Sequence, residues 1–125
     1  MKAEFLKKAI DNLSVARYCF EHGFYDASVN RAYSASFQAA IAALAHRGIA
    51  QTKNDHKWVQ ANFNGELIKR RKIYPSTLKA YLGDMLTFRN VADYSVNSLS
   101  KKIAGEQLAH AEEFVTIIRK ELERR

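Results

Sequence analysis

The residues best suited to chemistry in this 125-residue chain lie in the segment RNVADY, which runs from Arg89 to Tyr94. Within it, Arg89, Asn90, Asp93 and Tyr94 supply a guanidinium, an amide, a carboxylate and a phenol. An arginine presents a planar fork of N–H donors that matches a phosphate, and an amide adds a further donor. One interpretation is therefore that Arg89, Asn90 and Tyr94 face a groove that holds a phosphate.

A structural role for the same segment follows from its place on an amphipathic helix. Apolar residues at positions 82, 85 and 86 put Arg89 at the edge of an apolar stripe, so its charge should be half buried and needs a partner. Asp93 follows one turn later on the same side. Arg31 lies in a largely uncharged helix and also needs a carboxylate. Asp93 is thus predicted to form a structural ion pair with Arg31 or Arg89, which is compatible with a groove if Asp93 orients Arg89 toward it.

A basic run is the second candidate for binding an anion. It consists of Lys69, Arg70, Arg71 and Lys72. Between positions 47 and 89 there are nine Lys and Arg against three acids, so this part of the chain carries six of its seven excess positive charges. Such a patch can contact the phosphates of a nucleic acid, although a short basic run is more often just solvated surface.

Several other classes of protein are disfavoured. Cys19 is the only cysteine, which rules out an internal disulfide and fits a reducing compartment. The four histidines show no ligand spacing with each other or with Cys19, so neither a metal site nor a cofactor is predicted. The N-terminus is interrupted by charge, and the longest uncharged run, residues 32–46, is shorter than the roughly 20 apolar residues of a membrane span. A cytoplasmic protein without a membrane anchor is expected.

The elements that must position these residues are predicted to be helices. Apolar residues recur at three- and four-residue steps in a first helix that ends near Gly23, and a second, alanine-rich helix runs from an Asp26 cap to Gly48. Its small, uncharged side chains are typical of the central helix of a bundle. A polar loop, a short helix near residues 56–63, a third long helix from Pro75 and a last helix follow. We therefore predict one domain, residues 1–125, that is all-α: an up-and-down bundle of four long helices plus a shorter helix.

Four segments together resemble the HEPN family, named for higher-eukaryote and prokaryote nucleotide-binding domains. They are RAYSASFQAAIAAL (Arg31 to Leu44), His56 after the following loop, FRNVADY (Phe88 to Tyr94) and AHAEEFVTIIRKEL (Ala109 to Leu122). The similarity covers almost the whole chain and is greatest to the short, stand-alone prokaryotic branch. It implies a bundle of about four or five helices that commonly forms a homodimer. It also implies a small nucleotidyltransferase as partner, as in toxin–antitoxin pairs.

The resemblance also bears on activity. Many HEPN proteins are metal-independent ribonucleases whose motif is an arginine, usually followed by a polar residue, with a histidine four to six residues further on. Arg89 and Asn90 match the first two positions, but Tyr94 stands where the histidine is expected. A phenol with a pKa near 10 moves protons at neutral pH far less readily than an imidazole with a pKa of about 6.5. The first hypothesis is therefore a module that binds a nucleotide, RNA or a partner nucleotidyltransferase around Arg89 to Tyr94. The alternative is a ribonuclease toxin that uses Arg89, Asn90, Asp93 and Tyr94.

Overall fold

Five α-helices and one π-helix make up the regular structure of the computed structural model, which describes residues 1–50 and 55–124. They are α1 (Lys2–Glu21), α2 (Tyr25–His46), α3 (His56–Asn62), π1 (Phe63–Arg70), α4 (Thr77–Tyr94) and α5 (Lys101–Glu123). No strand occurs in the part of the chain that is described, so the all-α prediction is confirmed. None of the described helices is both long and apolar enough to cross a membrane.

The four long helices run alternately up and down. Side-chain contacts between the long helices show these directions: Lys2 with His46 (3.1 Å), Asn30 with Asp93 (3.1 Å), Ser36 with Met85 (3.4 Å) and Tyr81 with Glu113 (2.8 Å). Because α4 is antiparallel to α2, the end of α4 lies beside the first half of α2. The segment RNVADY at the end of α4 is thereby placed against α2.

The helix α2 is the centre of the bundle, as its composition predicted. It packs against α1, α4 and α5 and also against α3 and π1. Six of its buried residues are alanines, and their small side chains let the neighbouring helices approach closely. An aromatic cluster attaches the α3–π1 segment to this bundle: the Phe63 ring centre lies 5.4 Å from that of Phe114 on α5 and 5.5 Å from that of Tyr74.

The predicted bounds differ from the structure at three places. Asp26 does not cap α2: Gly23 turns the chain with φ +79°, α2 begins at once at Tyr25, and the Asp26 carboxylate instead accepts a hydrogen bond from the Leu99 N–H group (2.8 Å). The helix α4 begins at Thr77, two residues after Pro75. The short helix near residues 56–63 continues as π1, in a stretch left unassigned by the sequence, and residues 51–54 of the predicted loop lie outside the described part.

Candidate functional site

An ion pair in the last two turns of α4 is the centre of the candidate site. The Nε atom of Arg89 lies 3.1 Å from the Oδ2 atom of Asp93, and the two side chains are 27% and 28% exposed. Positions four residues apart on a helix face the same side, which accounts for the pairing. Of the two predicted partners of Asp93, Arg89 is the one that the structure confirms.

Asn30 on α2 completes this arrangement. Its Nδ2 atom donates to both carboxylate oxygens of Asp93, at 3.1 and 3.2 Å, so Asp93 ties α4 to α2 and holds one edge of the Arg89 guanidinium. The predicted ion pair of Arg31 with Asp93 is wrong. Arg31 is exposed and donates to Oδ1 of Asn12 on α1 (3.1 Å), because one residue along a helix rotates the side chain by about 100°.

The two remaining predicted residues of the segment face outward. Asn90 is exposed, and its Oδ1 atom accepts a hydrogen bond from Nη1 of Arg89 (3.3 Å). Tyr94 is the last residue of α4 and is 79% exposed. Asp93 and Asn90 thus orient the guanidinium, and the amide and phenol beside it are open to solvent.

A histidine from another helix has a pKa on which the Arg89 charge acts. His56 is the first residue of α3, and its Nδ1 atom lies 2.8 Å from the hydroxyl oxygen of Tyr33 on α2. Gln60, one turn further along α3, donates to the same hydroxyl (3.3 Å). Asp55 fixes the start of α3, since its carboxylate accepts a hydrogen bond from the Trp58 N–H group (2.7 Å). These contacts hold the imidazole of His56 beside Tyr33 of α2.

Electrostatics connects His56 and Tyr33 to Arg89. Partial burial lowers the pKa of His56, and the positive charge of Arg89 lowers it further, against a smaller opposite effect of Asp55. Burial raises the pKa of Tyr33, while the Gln60 hydrogen bond and Arg89 partly offset this. At neutral pH the site therefore combines a cationic guanidinium, a neutral imidazole and a neutral phenol.

The basic run lies in another region. Lys69 and Arg70 end π1, Arg71 and Lys72 follow, and all four are exposed; Arg70 pairs with Glu66 at 3.1 Å. Two residues later, Tyr74 is buried close to Arg47 and Glu121, at the ends of α2 and α5. Since Asn30 and Arg47 are 17 residues apart in sequence, about 25 Å along α2 separates that end of the bundle from the Arg89 site. The structure does not bring the run to Arg89.

A groove between the α1–α2 turn and the α4–α5 loop is a poor alternative site for an anion. Its volume is about 320 Å³, and residues 23–27 with Ser98 line it. This lining contains no cation, and its one carboxylate, Asp26, is already bonded to Leu99. The Arg89 site is better suited to a phosphate.

The sequence-based list of site residues omitted three side chains of this cluster: Asn30, Tyr33 and Gln60. It also gave no role to His56, which was noted only as part of the family resemblance. His56 and Arg89 are 33 residues apart, and no helical spacing links them. The one local signal is Asp55, a residue type that caps helices, which could have placed His56 in the first turn of α3.

Asp93→Ala should lower the free energy of unfolding by roughly 1–2 kcal/mol, because it leaves a half-buried guanidinium and the Asn30 amide without their acceptor. Thermal unfolding followed by circular dichroism measures the change. Glu123→Ala is the matched control: it removes the same kind of i, i+4 partner from Arg119, but the two side chains are 54% and 61% exposed, so little change is expected. An unchanged melting temperature for Asp93→Ala would show that the ion pair has no structural role.

Comparison with known proteins provides evidence on the family of this chain. A family model described as HEPN domain matches residues 3–122. A protein of Methanocaldococcus jannaschii that bears the name "Putative toxin MJ0142" is 30% identical over 105 residues, which cover 84% of this chain and 69% of that protein. The match to the family model therefore includes both α2 and the segment RNVADY.

Proposed function

The chain belongs to the HEPN domain family, and on this premise we propose that it binds a phosphate group of RNA or of a nucleotide through Arg89 and Asn90. The observation that carries the proposal is the arrangement of Arg89. Its side chain is 27% exposed, and its guanidinium is held in one orientation by Asp93, which Asn30 holds in turn. A cation fixed in this way loses little conformational entropy when it binds an anion.

The surroundings of Arg89 favour an anionic ligand. The Arg89 charge lowers the pKa of His56, and the resulting neutral imidazole can donate a hydrogen bond to a phosphate oxygen. Tyr94 is exposed one turn after Asn90, where its ring can stack on a base or its hydroxyl can contact a phosphate. The excess of positive charge in the middle of the chain attracts polyanions over a longer range.

We propose RNA, rather than a mononucleotide, as the ligand that uses the whole surface. The basic run of Lys69, Arg70, Arg71 and Lys72 is exposed but lies too far from Arg89 for a mononucleotide to touch both. A single strand of several nucleotides can span such a distance. The run would then contribute contacts to the backbone that carry no sequence preference.

Chemical-shift mapping tests this proposal on the unmodified protein. We expect a short single-stranded RNA to shift the Arg89 Nε–H signal, the Asn90 side-chain amide and the backbone amides of residues 69–72. AMP should shift only the signals around Arg89. The internal control is Arg119, whose Nε atom lies 3.0 Å from Glu123 in the same i, i+4 geometry and should give no shift.

Two results would contradict the proposal. If neither ligand shifts the Arg89 and Asn90 signals, the site does not bind phosphate. If RNA shifts only residues 69–72, the basic run binds RNA and the cluster around Arg89 is structural.

We also propose that the protein acts in a toxin–antitoxin pair, as a homodimer with a small nucleotidyltransferase as partner. The name of the Methanocaldococcus relative, which calls that protein a toxin, supports the first part. Exposed apolar side chains beside the site, Val91, Tyr94 and Val96, support a protein interface at the end of α4. Light scattering of the purified protein tests the homodimer, and co-purification with the product of a neighbouring nucleotidyltransferase gene tests the partner.

A further inference from the structure

Arg31 on α2 keeps a positive charge that no acid neutralises. Six other arginines lie 2.9–3.6 Å from a carboxylate oxygen: Arg17, Arg47, Arg70, Arg89, Arg119 and Arg124. Arg31 is exposed, pairs with no acid in the described part of the chain, and donates instead to the amide oxygen of Asn12 on α1 (3.1 Å). Asp11, the acid next to Asn12, is already paired with Lys7 (2.9 Å). An amide therefore orients the Arg31 guanidinium, and its charge remains available to an anion.

The hydrogen bonds that start at Arg31 have one possible direction. A guanidinium only donates, so Asn12 must accept with its Oδ1 atom and donate with its Nδ2 atom. Nδ2 of Asn12 donates to Oε1 of Gln38 on α2 at 2.7 Å, and within the described residues the Nε2 group of Gln38 has no acceptor. Both ends of the series, Arg31 and Gln38, thus present N–H donors, which are the groups that bind an anion.

Arg31 and Gln38 belong to an exposed strip along α2. The strip consists of Ala27, Arg31, Ser34 and Gln38, which are three or four residues apart and therefore share one side of the helix. Ala27 and Arg31 are exposed, and Ser34 and Gln38 are partly exposed. The Ser34 hydroxyl is bonded to the carbonyl oxygen of Asn30 (3.2 Å), so it lies against the helix. Because Ser34 is small, a ligand can lie over it between the longer side chains of Arg31 and Gln38.

The Arg89 site borders the same part of α2 from the other side. Asn30 and Arg31 are neighbours in sequence, but Asn30 contacts Asp93 on α4, beside Arg89. Arg31 contacts Asn12 on α1. Since the axes of packed helices are about 8–10 Å apart, the axes of α1 and α4 are separated by no more than about 20 Å at this level. A single strand of a few nucleotides can reach across α2 from one guanidinium to the other.

We propose that Arg31 and Gln38 form a second phosphate subsite for single-stranded RNA, and that the strand crosses the exposed strip of α2 between this subsite and Arg89. The phosphate oxygens accept hydrogen bonds from the Arg31 guanidinium and from Nε2 of Gln38. These contacts go to the backbone and carry no sequence preference. The inference rests on the proposed binding of RNA at Arg89 and adds a contact on the side of α1.

A phosphate strand fits these observations better than the carboxylate of a partner protein. A nucleic acid carries a negative charge at every nucleotide, so one strand supplies an anion to Arg31 and another to Arg89. Arg31 and Gln38 are both donors, and no apolar side chain belongs to the strip apart from Ala27. Protein interfaces have an apolar centre, which the strip lacks.

The test is the affinity for a labelled single-stranded RNA, measured by fluorescence anisotropy at several salt concentrations. We expect Arg31→Gln to weaken binding by about fivefold to twentyfold and to reduce the slope of log affinity against log salt by roughly 0.7–1. Arg17→Gln is the matched control. It removes the same charge from an exposed arginine on α1, but Glu112 already neutralises Arg17 at 2.9 Å, so affinity should change by less than about twofold.

Gln38→Glu provides a second, isosteric variant. A carboxylate at this position still accepts the hydrogen bond from Asn12, so the contact between α1 and α2 is kept. It has no N–H donors, and its negative charge neutralises Arg31 and repels phosphate. We expect RNA affinity to fall at least as far as in Arg31→Gln, while the melting temperature followed by circular dichroism stays that of the wild type. A purely structural role for Gln38 would leave the affinity unchanged.

The outcomes separate this inference from the proposed function. Wild-type affinity in both Arg31→Gln and Gln38→Glu overturns the second subsite and leaves RNA binding at Arg89 standing. Equal losses in Arg31→Gln and Arg17→Gln also overturn it, because the effect would then follow net charge. A lower mass of Arg31→Gln in light scattering, with its RNA affinity unchanged, would assign Arg31 to a protein interface instead. Wild-type protein that binds no RNA overturns both proposals.

Discussion

Arg89→Ala is expected to weaken the binding of single-stranded RNA by about tenfold to a hundredfold without unfolding the protein. A charge-assisted hydrogen bond to a phosphate contributes roughly 1.5–3 kcal/mol, and the variant removes the guanidinium that Asp93 and Asn90 orient. Because Asp93 keeps its two hydrogen bonds from Asn30, the contact between α2 and α4 survives.

Fluorescence anisotropy at several salt concentrations measures this effect. Loss of one phosphate contact should also reduce the slope of log affinity against log salt by about one. Arg119→Ala is the matched control, since it removes an arginine with the same i, i+4 carboxylate partner near the end of α5. Unchanged affinity in Arg89→Ala would exclude this residue from the binding site, and global unfolding would instead support a structural role.

Phe114→Ala is expected to lower the free energy of unfolding by about 3–5 kcal/mol. Phe114 is fully buried on α5, and its ring contacts Phe63, which in turn stacks on Tyr74. The substitution leaves a cavity between α5 and the α3–π1 segment. Since small domains are stable by only about 5–15 kcal/mol, a large part of the total is lost.

Chemical denaturation measures the loss, and the matched control is Phe24→Ala. Phe24 is 58% exposed before the start of α2, so its truncation should change stability by less than about 0.5 kcal/mol. Equal effects of the two variants would mean that the aromatic cluster does not hold the α3–π1 segment on the bundle.

Local sequence patterns were sufficient to predict the four long helices, though not all of their bounds. Apolar residues at three- and four-residue steps predicted the long helices, because a helix buried on one face has apolar side chains at that spacing. The alanine-rich stretch from Ala32 to Leu44 predicted the central position of α2, because a helix buried on several faces has few charged side chains. Helical spacing also made Arg89 one of the two predicted partners of Asp93, beside Arg31, and the structure shows the pair with Arg89, which belongs to the same helix.

Other features depended on the three-dimensional arrangement. The start of α2 depended on the backbone turn at Gly23, and the π-helix after Asn62 has no periodic signal that separates it from an α-helix or a loop. The choice between Arg31 and its neighbour Asn30 as the contact of Asp93 depended on the rotation of α2 about its axis, which sequence periodicity gives too coarsely to separate adjacent residues.

The sequence by itself therefore determined the four long helices, the bundle and the arginine at the centre of the candidate site, and the tertiary structure decided which other side chains surround that arginine. His56 and Tyr33 come from α3 and α2, and the Arg89 charge acts on the pKa of both, since α2 packs against both α3 and α4. The spacing of residues along the chain predicts only which side chains are neighbours on the same helix. A site assembled from three helices depends on how these pack, and burial and shape across the whole core determine that packing.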